Sequence, residues 1–265
     1  MRRMPPFRGG KVGFLRSVWY TVKLCAYFVR FGVELLVRRP RTRQARAEWL
    51  HRFCASALRG FDIVVSIEGE FPQHGALIAN HLSYLDIVVF AALHPCVYCA
   101  KAEMEHWPVL GWMTTMAGTV YIDRGRGGSA MKAKSGMQAA VNAGLPVVFF
   151  PEGTTSNGDE LLPFHSGLLA QALGAGMPVT AAFIQYSFDR KNAGATIAED
   201  VSFWGDMPML PHIFRFLGLR GIHATVRFAE RPIAFVSDAK RRKSAAREAQ
   251  AAVQELADSD RTVEV

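Results

Sequence analysis

From Ile63 onward, short runs rich in β-branched and aromatic residues alternate with longer stretches of helical pattern, and this alternation constrains the fold more than any other feature. The strand candidates are Ile63 to Ile67, Ala76 to Ala79, Val97 to Ala100, Thr119 to Ile122, Pro146 to Phe150, Val179 to Gln185 and Ala224 to Phe228. Helical patterns fall at Ser83 to Leu93, Ser129 to Asn142 and Ser166 to Ala175. Parallel neighbours require a crossover, so the order predicts an α/β fold: a mostly parallel sheet flanked by helices, with functional loops at the carboxyl ends of its strands. Gly144 then Pro146, and Gly176 then Pro178, punctuate helix stop and strand start. A final helix is expected from Lys240 to Leu256, opening on the cluster Lys240, Arg241, Arg242 and Lys243. With 265 residues, half of them apolar, the chain can bury a large core without staples and is not disordered.

The net charge of +8 is unevenly placed. Residues 1–60 carry 14 Lys or Arg against 2 Glu, whereas residues 61–265 carry 17 basic and 21 acidic side chains. The split divides the chain into a basic unit, residues 1–60, and an α/β domain, residues 61–265. It points to a polyanionic partner for the first unit, a membrane surface or a nucleic acid. Between Gly13 and Val37 the longest uncharged run is six residues, far short of the ~20 that a spanning helix needs. A secretory signal needs an uncharged apolar centre of ~7–15 residues, so no cleaved signal peptide is expected. Arg16, Lys23 and Arg30 recur every seven residues, and Tyr20, Tyr27 and Glu34 each follow four later, placing all six on one helical stripe. Phe14, Leu15, Val18, Trp19, Val22, Leu24, Phe28, Phe31, Leu35 and Leu36 fill the other faces. A helix lying in the bilayer interface is expected, its stripe of cations near lipid phosphates, on the cytoplasmic face of a membrane as a peripheral or monotopic protein. Packing of the same helix on the protein's own core is the competing reading. The aromatics serve a continuous apolar face, so no nucleic-acid partner is expected.

Cys96 and Cys99 form a C-x-x-C without a second pair at zinc-ribbon spacing, and they read as free thiols of a buried strand. No metal is expected. His51, His74, His94, His106, His212 and His223 have no partner at a useful spacing and read as structural or surface residues.

Chemistry concentrates after the strand that ends at Ala79, in Asn80-His81-Leu82-Ser83-Tyr84-Leu85-Asp86. Residues five apart on one helix are rotated by about 140°, so His81 and Asp86 meet only if His81 lies in the loop before the helix. Ser83 with Asp86 has the form of a capping box, which places Asp86 on the first turn, facing back. A carboxylate on one ring nitrogen fixes the tautomer and raises the basicity of the other, making His81 a candidate general base for a hydroxyl. A second loop, Pro151-Glu152-Gly153-Thr154-Thr155-Ser156, follows a buried strand and offers a carboxylate, a glycine and amides. Lys101 and Arg124 follow two further strands. All four features are predicted on one rim of one sheet.

In these residues the chain resembles the glycerolipid acyltransferase family that includes the lysophosphatidic acid acyltransferases. The resemblance runs over residues 65–190, from Asn80-His81 with Asp86, through Lys101 and Gly118 to Arg124, then Phe150-Pro151-Glu152-Gly153-Thr154, to Gly176-Met177-Pro178-Val179. It implies acyl transfer from a thioester of acyl carrier protein or coenzyme A to a lysolipid hydroxyl, with no cofactor beyond that co-substrate. It further implies that His81 removes the hydroxyl proton, Asp86 orients the imidazole, and no acyl-enzyme forms. Glu152, Gly153 and Thr154 would shape the acceptor site, Lys101 and Arg124 would bind an anionic headgroup, and Asn80, Ser83 and Thr155 join them as candidate substrate-binding positions. The N-terminal helices match the family's way of docking on a bilayer.

Three positions depart from the family pattern. Many members that use lysophosphatidate carry Arg where this chain has Thr155; Phe164-His165 replaces a Phe-Lys; and Ala181 replaces a proline. Glu152-Gly153-Thr154-Thr155-Ser156, with Trp204-Gly205-Asp206-Met207 and Leu210-Pro211-His212, resembles the bacterial branch that acylates lyso-ornithine lipid, a phosphate-free acceptor. That acceptor is favoured over lysophosphatidate. A non-catalytic lipid-binding protein on the same scaffold is the alternative from another class.

Overall fold

The computed structural model describes residues 11–106, 110–122, 129–192, 194–236 and 242–259. Two antiparallel-running helices open the described residues, α1 (Lys11–Arg38) and α2 (Arg43–Gly60), the second capped by Thr42, whose side chain accepts from Ala45 N. Strands β1 (Val64–Glu68) and β2 (Ala76–Ala79) precede α3 (Tyr84–Leu93) and β3 (Val97–Lys101). After a short 3₁₀ turn come α4 (Leu110–Met116), β4 (Val120–Ile122), α5 (Ser129–Asn142), β5 (Val147–Phe149), α6 (Ser166–Gly174) and β6 (Val179–Ser187). A single π turn, α7 (Met209–Phe216), β7 (His223–Phe228) and α8 (Arg242–Asp258) complete the described residues.

All seven expected strands are present and form one sheet in the order β1-β7-β6-β2-β5-β3-β4. Its neighbours are parallel except β6 with β7. The five-strand block from β6 to β4 is therefore parallel, and its carboxyl ends share one rim. Strand alternation sorts the core into two layers. Leu77, Ala79, Tyr98, Val148, Ile184 and Tyr186 face α2 and α3. Ala76, Ile78, Val97, Val147, Phe149 and Val179 face α5, α6 and α8. The central strands β2 and β5 are buried on both faces, which is why they read as unbroken apolar runs.

Helices α1 and α2 share this core: Cys54, Ala57 and Leu58 of α2, and Tyr20 of α1, pack in the layer formed with α3. The structure reverses the expected orientation of the α1 stripe. Arg16 donates to Leu219 O (2.9 Å), Tyr20 donates to Asp62 (2.5 Å), Lys23 donates to Gly60 O, and Glu34 pairs with Arg52 (2.7 Å). Of the six stripe residues, Arg30 stays exposed, its guanidinium over Phe31. The cause is the end of α2, whose last carbonyls lack helical partners and draw a cation from α1. What α1 turns outward is its apolar face: Leu15, Val18, Trp19 (64% exposed), Val22, Val29, Val33, Leu36 and Val37 (76%). Among the described residues no helix is long and apolar enough to cross a membrane.

Candidate active site

His81 stands in the loop between β2 and α3, and Asp86 on the first turn of α3, as the capping pattern requires. The His81 Nδ1 to Asp86 Oδ2 distance is 2.7 Å. The same oxygen accepts from Leu82 N (2.7 Å) and Ser83 N (2.9 Å), so the carboxylate organises the loop that carries the histidine. Asp86 is fully buried, and its other oxygen, Oδ1, accepts from Tyr186 OH on β6 (2.6 Å). With Nδ1 facing the carboxylate, no hydrogen bond reaches His81 Nε2 among the described residues, and the ring is 16% exposed. A partly open imidazole with a buried carboxylate behind it is the geometry of a general base.

The loop after β5 fixes His81 from two directions. Phe150 stacks on the ring, centroids 4.0 Å apart and planes 7° from parallel. Glu152, 2% exposed, accepts from His81 N through Oε1 (2.8 Å) and from Leu162 N through Oε2 (3.2 Å). Burial pushes its carboxyl up to about 7 against these two backbone bonds, which pull it down. Ser156 N donates back to His81 O (2.9 Å), closing the clasp between the two loops. The turn at Gly153 has φ +67°, a conformation that a side chain resists, and this is what the glycine supplies.

The other expected positions divide clearly. Asn80 is a clip: its Nδ2 donates to Ile184 O (2.9 Å) and its Oδ1 accepts from Ile184 N (2.8 Å), tying β2 to β6. Both of its polar ends are engaged inside the core, which braces the site. Ser83 is also fully buried; its main-chain N–H donates to Asp86 at the helix start, while its hydroxyl has no hydrogen-bond partner among the described residues. Thr154 is exposed and Thr155 half-buried on the rim beside His81. Lys101 ends β3, in register with Ile122 of β4, which puts its backbone on the same rim. Arg124 lies outside the described residues. The carboxylate of Glu152, a candidate for shaping the acceptor site, is directed at main-chain amides beneath His81.

Three features of the site carry no local pattern in the sequence that assigns them a role. Tyr186 pairs with Asp86 across 100 residues, and the signal was a phenol on the apolar face of β6 defined by Ala182 and Ile184. Phe150 was visible in its motif but carried no role. The wall beside the dyad comes from residues 196–217: Phe203 N donates to Leu82 O (2.8 Å), and His212 Nδ1 lies 3.1 Å from Tyr84 OH. His212 is fully buried against the main chain of Ser202, and burial lowers its pKa to about 4, which keeps it neutral. Cys96 and Cys99 are buried free thiols, each pushed up to about 12 by burial. Among the described residues no cluster of three His, Cys, Asp or Glu could hold a metal.

Comparison with known proteins follows the same residues. The sequence model described as Acyltransferase matches residues 62–185. The chain is 39% identical over 175 residues to a lyso-ornithine lipid O-acyltransferase of Pseudomonas aeruginosa, covering 65% of this chain and 64% of that protein. It is 34% identical over 208 residues to the lyso-ornithine lipid O-acyltransferase of Rhodobacter capsulatus, covering 76% and 72%. The chain thus spans just under two thirds of the first relative and somewhat more of the second. The crystal structure of the 1-acyl-sn-glycerophosphate (LPA) acyltransferase PlsC from Thermotoga maritima shares the fold, with a TM-score of 0.64 at 21% identity over 92% of this chain and 95% of that one.

Proposed function

The chain belongs to the acyltransferase family, and on that premise we propose that it moves a fatty acyl group from a thioester to the hydroxyl of a lysolipid. The observation that carries the proposal is the His81–Asp86 dyad, with Nε2 open on the carboxyl rim of a parallel sheet. His81 Nε2 takes the acceptor hydroxyl proton as the oxygen attacks the thioester carbonyl. The tetrahedral intermediate then expels the thiolate, which recovers the proton from the imidazolium, so that ester and free thiol leave and the base is restored. Asp86 stabilises the cation that forms transiently, and Phe150 and Glu152 hold the ring and its backbone during transfer.

Lyso-ornithine lipid is the favoured acceptor, because Thr155 stands where a phosphate-binding cation would be needed and because the relatives from P. aeruginosa and R. capsulatus carry that name. Lysophosphatidate is the alternative acceptor. The outward apolar face of α1, with Arg38, Arg39 and Arg41 exposed at its end, suits docking on the cytoplasmic face of an anionic bilayer, where a lysolipid is reached without leaving the membrane. Lys101 and Arg124 are assigned to anionic groups of the donor or acceptor, and the donor thioester to acyl carrier protein or coenzyme A. A panel with one labelled acyl donor and either lyso-ornithine lipid or lysophosphatidate in vesicles tests this reading. Label transfer to lyso-ornithine lipid at the higher kcat/KM is expected; preference for lysophosphatidate overturns the acceptor, and transfer to neither overturns the activity.

A further inference from the structure

We propose that Tyr186 is a positioning residue of the transfer reaction, acting on His81 through the carboxylate of Asp86; the inference rests on the acyl-transfer reading above. Asp86 has no exposed surface, so each of its oxygens depends on donors supplied by the fold. Oδ2 has three: Leu82 N, Ser83 N and His81 Nδ1. Oδ1 has the Tyr186 hydroxyl at 2.6 Å. The two sets are held by different elements. The amides belong to the loop that leads into α3, whereas Tyr186 belongs to β6, the strand beside β2 in the sheet.

That arrangement gives the phenol a defined task. A carboxylate held on one oxygen alone can rotate about its Cβ–Cγ bond, and rotation carries Oδ2 off the axis of the imidazole N–H. Anchoring Oδ1 from the sheet removes that freedom and keeps the carboxylate coplanar with its partner. Burial raises the Tyr186 hydroxyl well above its ordinary value, so it remains a donor throughout the working range. Asn80 supports the same contact by clamping Ile184, two residues before Tyr186, to the end of β2. The site is thus braced from both sides of β2, with the loop after β5 holding the main chain of His81 and β6 holding the carboxylate behind it.

Tyr186→Phe removes the donor and keeps the ring. Its kcat should fall about tenfold to a hundredfold, the range that one hydrogen bond to a buried charged group spans. KM for thioester and lysolipid should stay within about twofold, since the phenol touches neither. In an Asp86→Asn background the same substitution should cost less than about twofold, because the group it acts through is gone. A kcat for Tyr186→Phe within twofold of wild type, or a full additional loss in the Asp86→Asn background, overturns the proposal. A second arm needs no turnover. In protein labelled with ¹⁵N-histidine, the His81 Nδ1 proton, identified by its loss in His81→Ala, should exchange with water at least about tenfold faster in Tyr186→Phe; an unchanged rate overturns the proposal. A wild type that acylates no lysolipid would sink the acyl-transfer reading and leave the positioning claim to that exchange rate.

Discussion

Replacing Glu152 with Gln separates two forces that meet on one buried carboxylate. Burial disfavours its charge, while His81 N and Leu162 N each favour it, and burial wins: the group is pushed from 4.5 to about 7. Between those values the folded chain holds a proton that the unfolded chain has released. Stability contributed by the protonated form is therefore complete below about pH 4.5 and is lost as pH rises through 7. At about 1.36 kcal/mol per unit, the loss is on the order of 3 kcal/mol. Gln cannot ionise. Its amide oxygen still accepts from His81 N, while its NH₂ group opposes Leu162 N at an offset of about 1–3 kcal/mol that does not vary with pH. Urea unfolding of both proteins from pH 4.5 to 8 measures the difference, in which every other titrating group cancels. The gap should move in favour of Glu152→Gln by about 3 kcal/mol across that window. A flat gap, or one that moves toward wild type as pH rises, would make the backbone bonds the stronger force and overturn the dominance of burial.

Other expectations follow from single contacts. Asn80→Ala removes both bonds to Ile184 and leaves a buried N–H and C=O open, so urea unfolding should show a loss of about 2–4 kcal/mol, against under 0.5 if the clip is idle. Phe90→Ala empties a fully buried ring site in the layer between α3 and the sheet; a loss of about 3–5 kcal/mol is expected, and one below 1 would mean the layer refills. Placing Glu at both Trp19 and Val22 puts charge on the outward face of α1 without touching the core. Co-flotation with anionic vesicles should fall sharply while the unfolding midpoint holds, and unchanged flotation would remove α1 from the membrane contact.

The fold was legible because its strands are short apolar runs whose limits coincide with glycine and proline, and the observed β2 matches the expected Ala76 to Ala79 residue for residue. The dyad was legible for a local reason: a capping box fixes where Asp86 points, and five residues of chain leave His81 little choice. Long-range partners were not. Tyr186 meets Asp86 only because β6 lies beside β2, an adjacency that no local pattern encodes. Helices α4 and α7, seven and eight residues long, are too short for periodicity to announce. The α1 stripe shows the opposite failure. Its heptad of cations was visible, but periodicity gives a face and not what the face meets, and the unpaired carbonyls at the end of α2 and near Leu219 decide it.

The proposed role of His81 is that of the base that activates a lysolipid hydroxyl. Its most direct test is the rate of thiol release from an acyl thioester, with vesicles carrying lyso-ornithine lipid, for wild type, His81→Ala and Asp86→Asn. Wild type should release thiol in step with formation of acylated lipid, His81→Ala should fall by about 10²–10⁴ with its fold intact, and Asp86→Asn should fall to an intermediate rate. Thiol release by His81→Ala at the wild-type rate, in a folded protein, would contradict the claim outright.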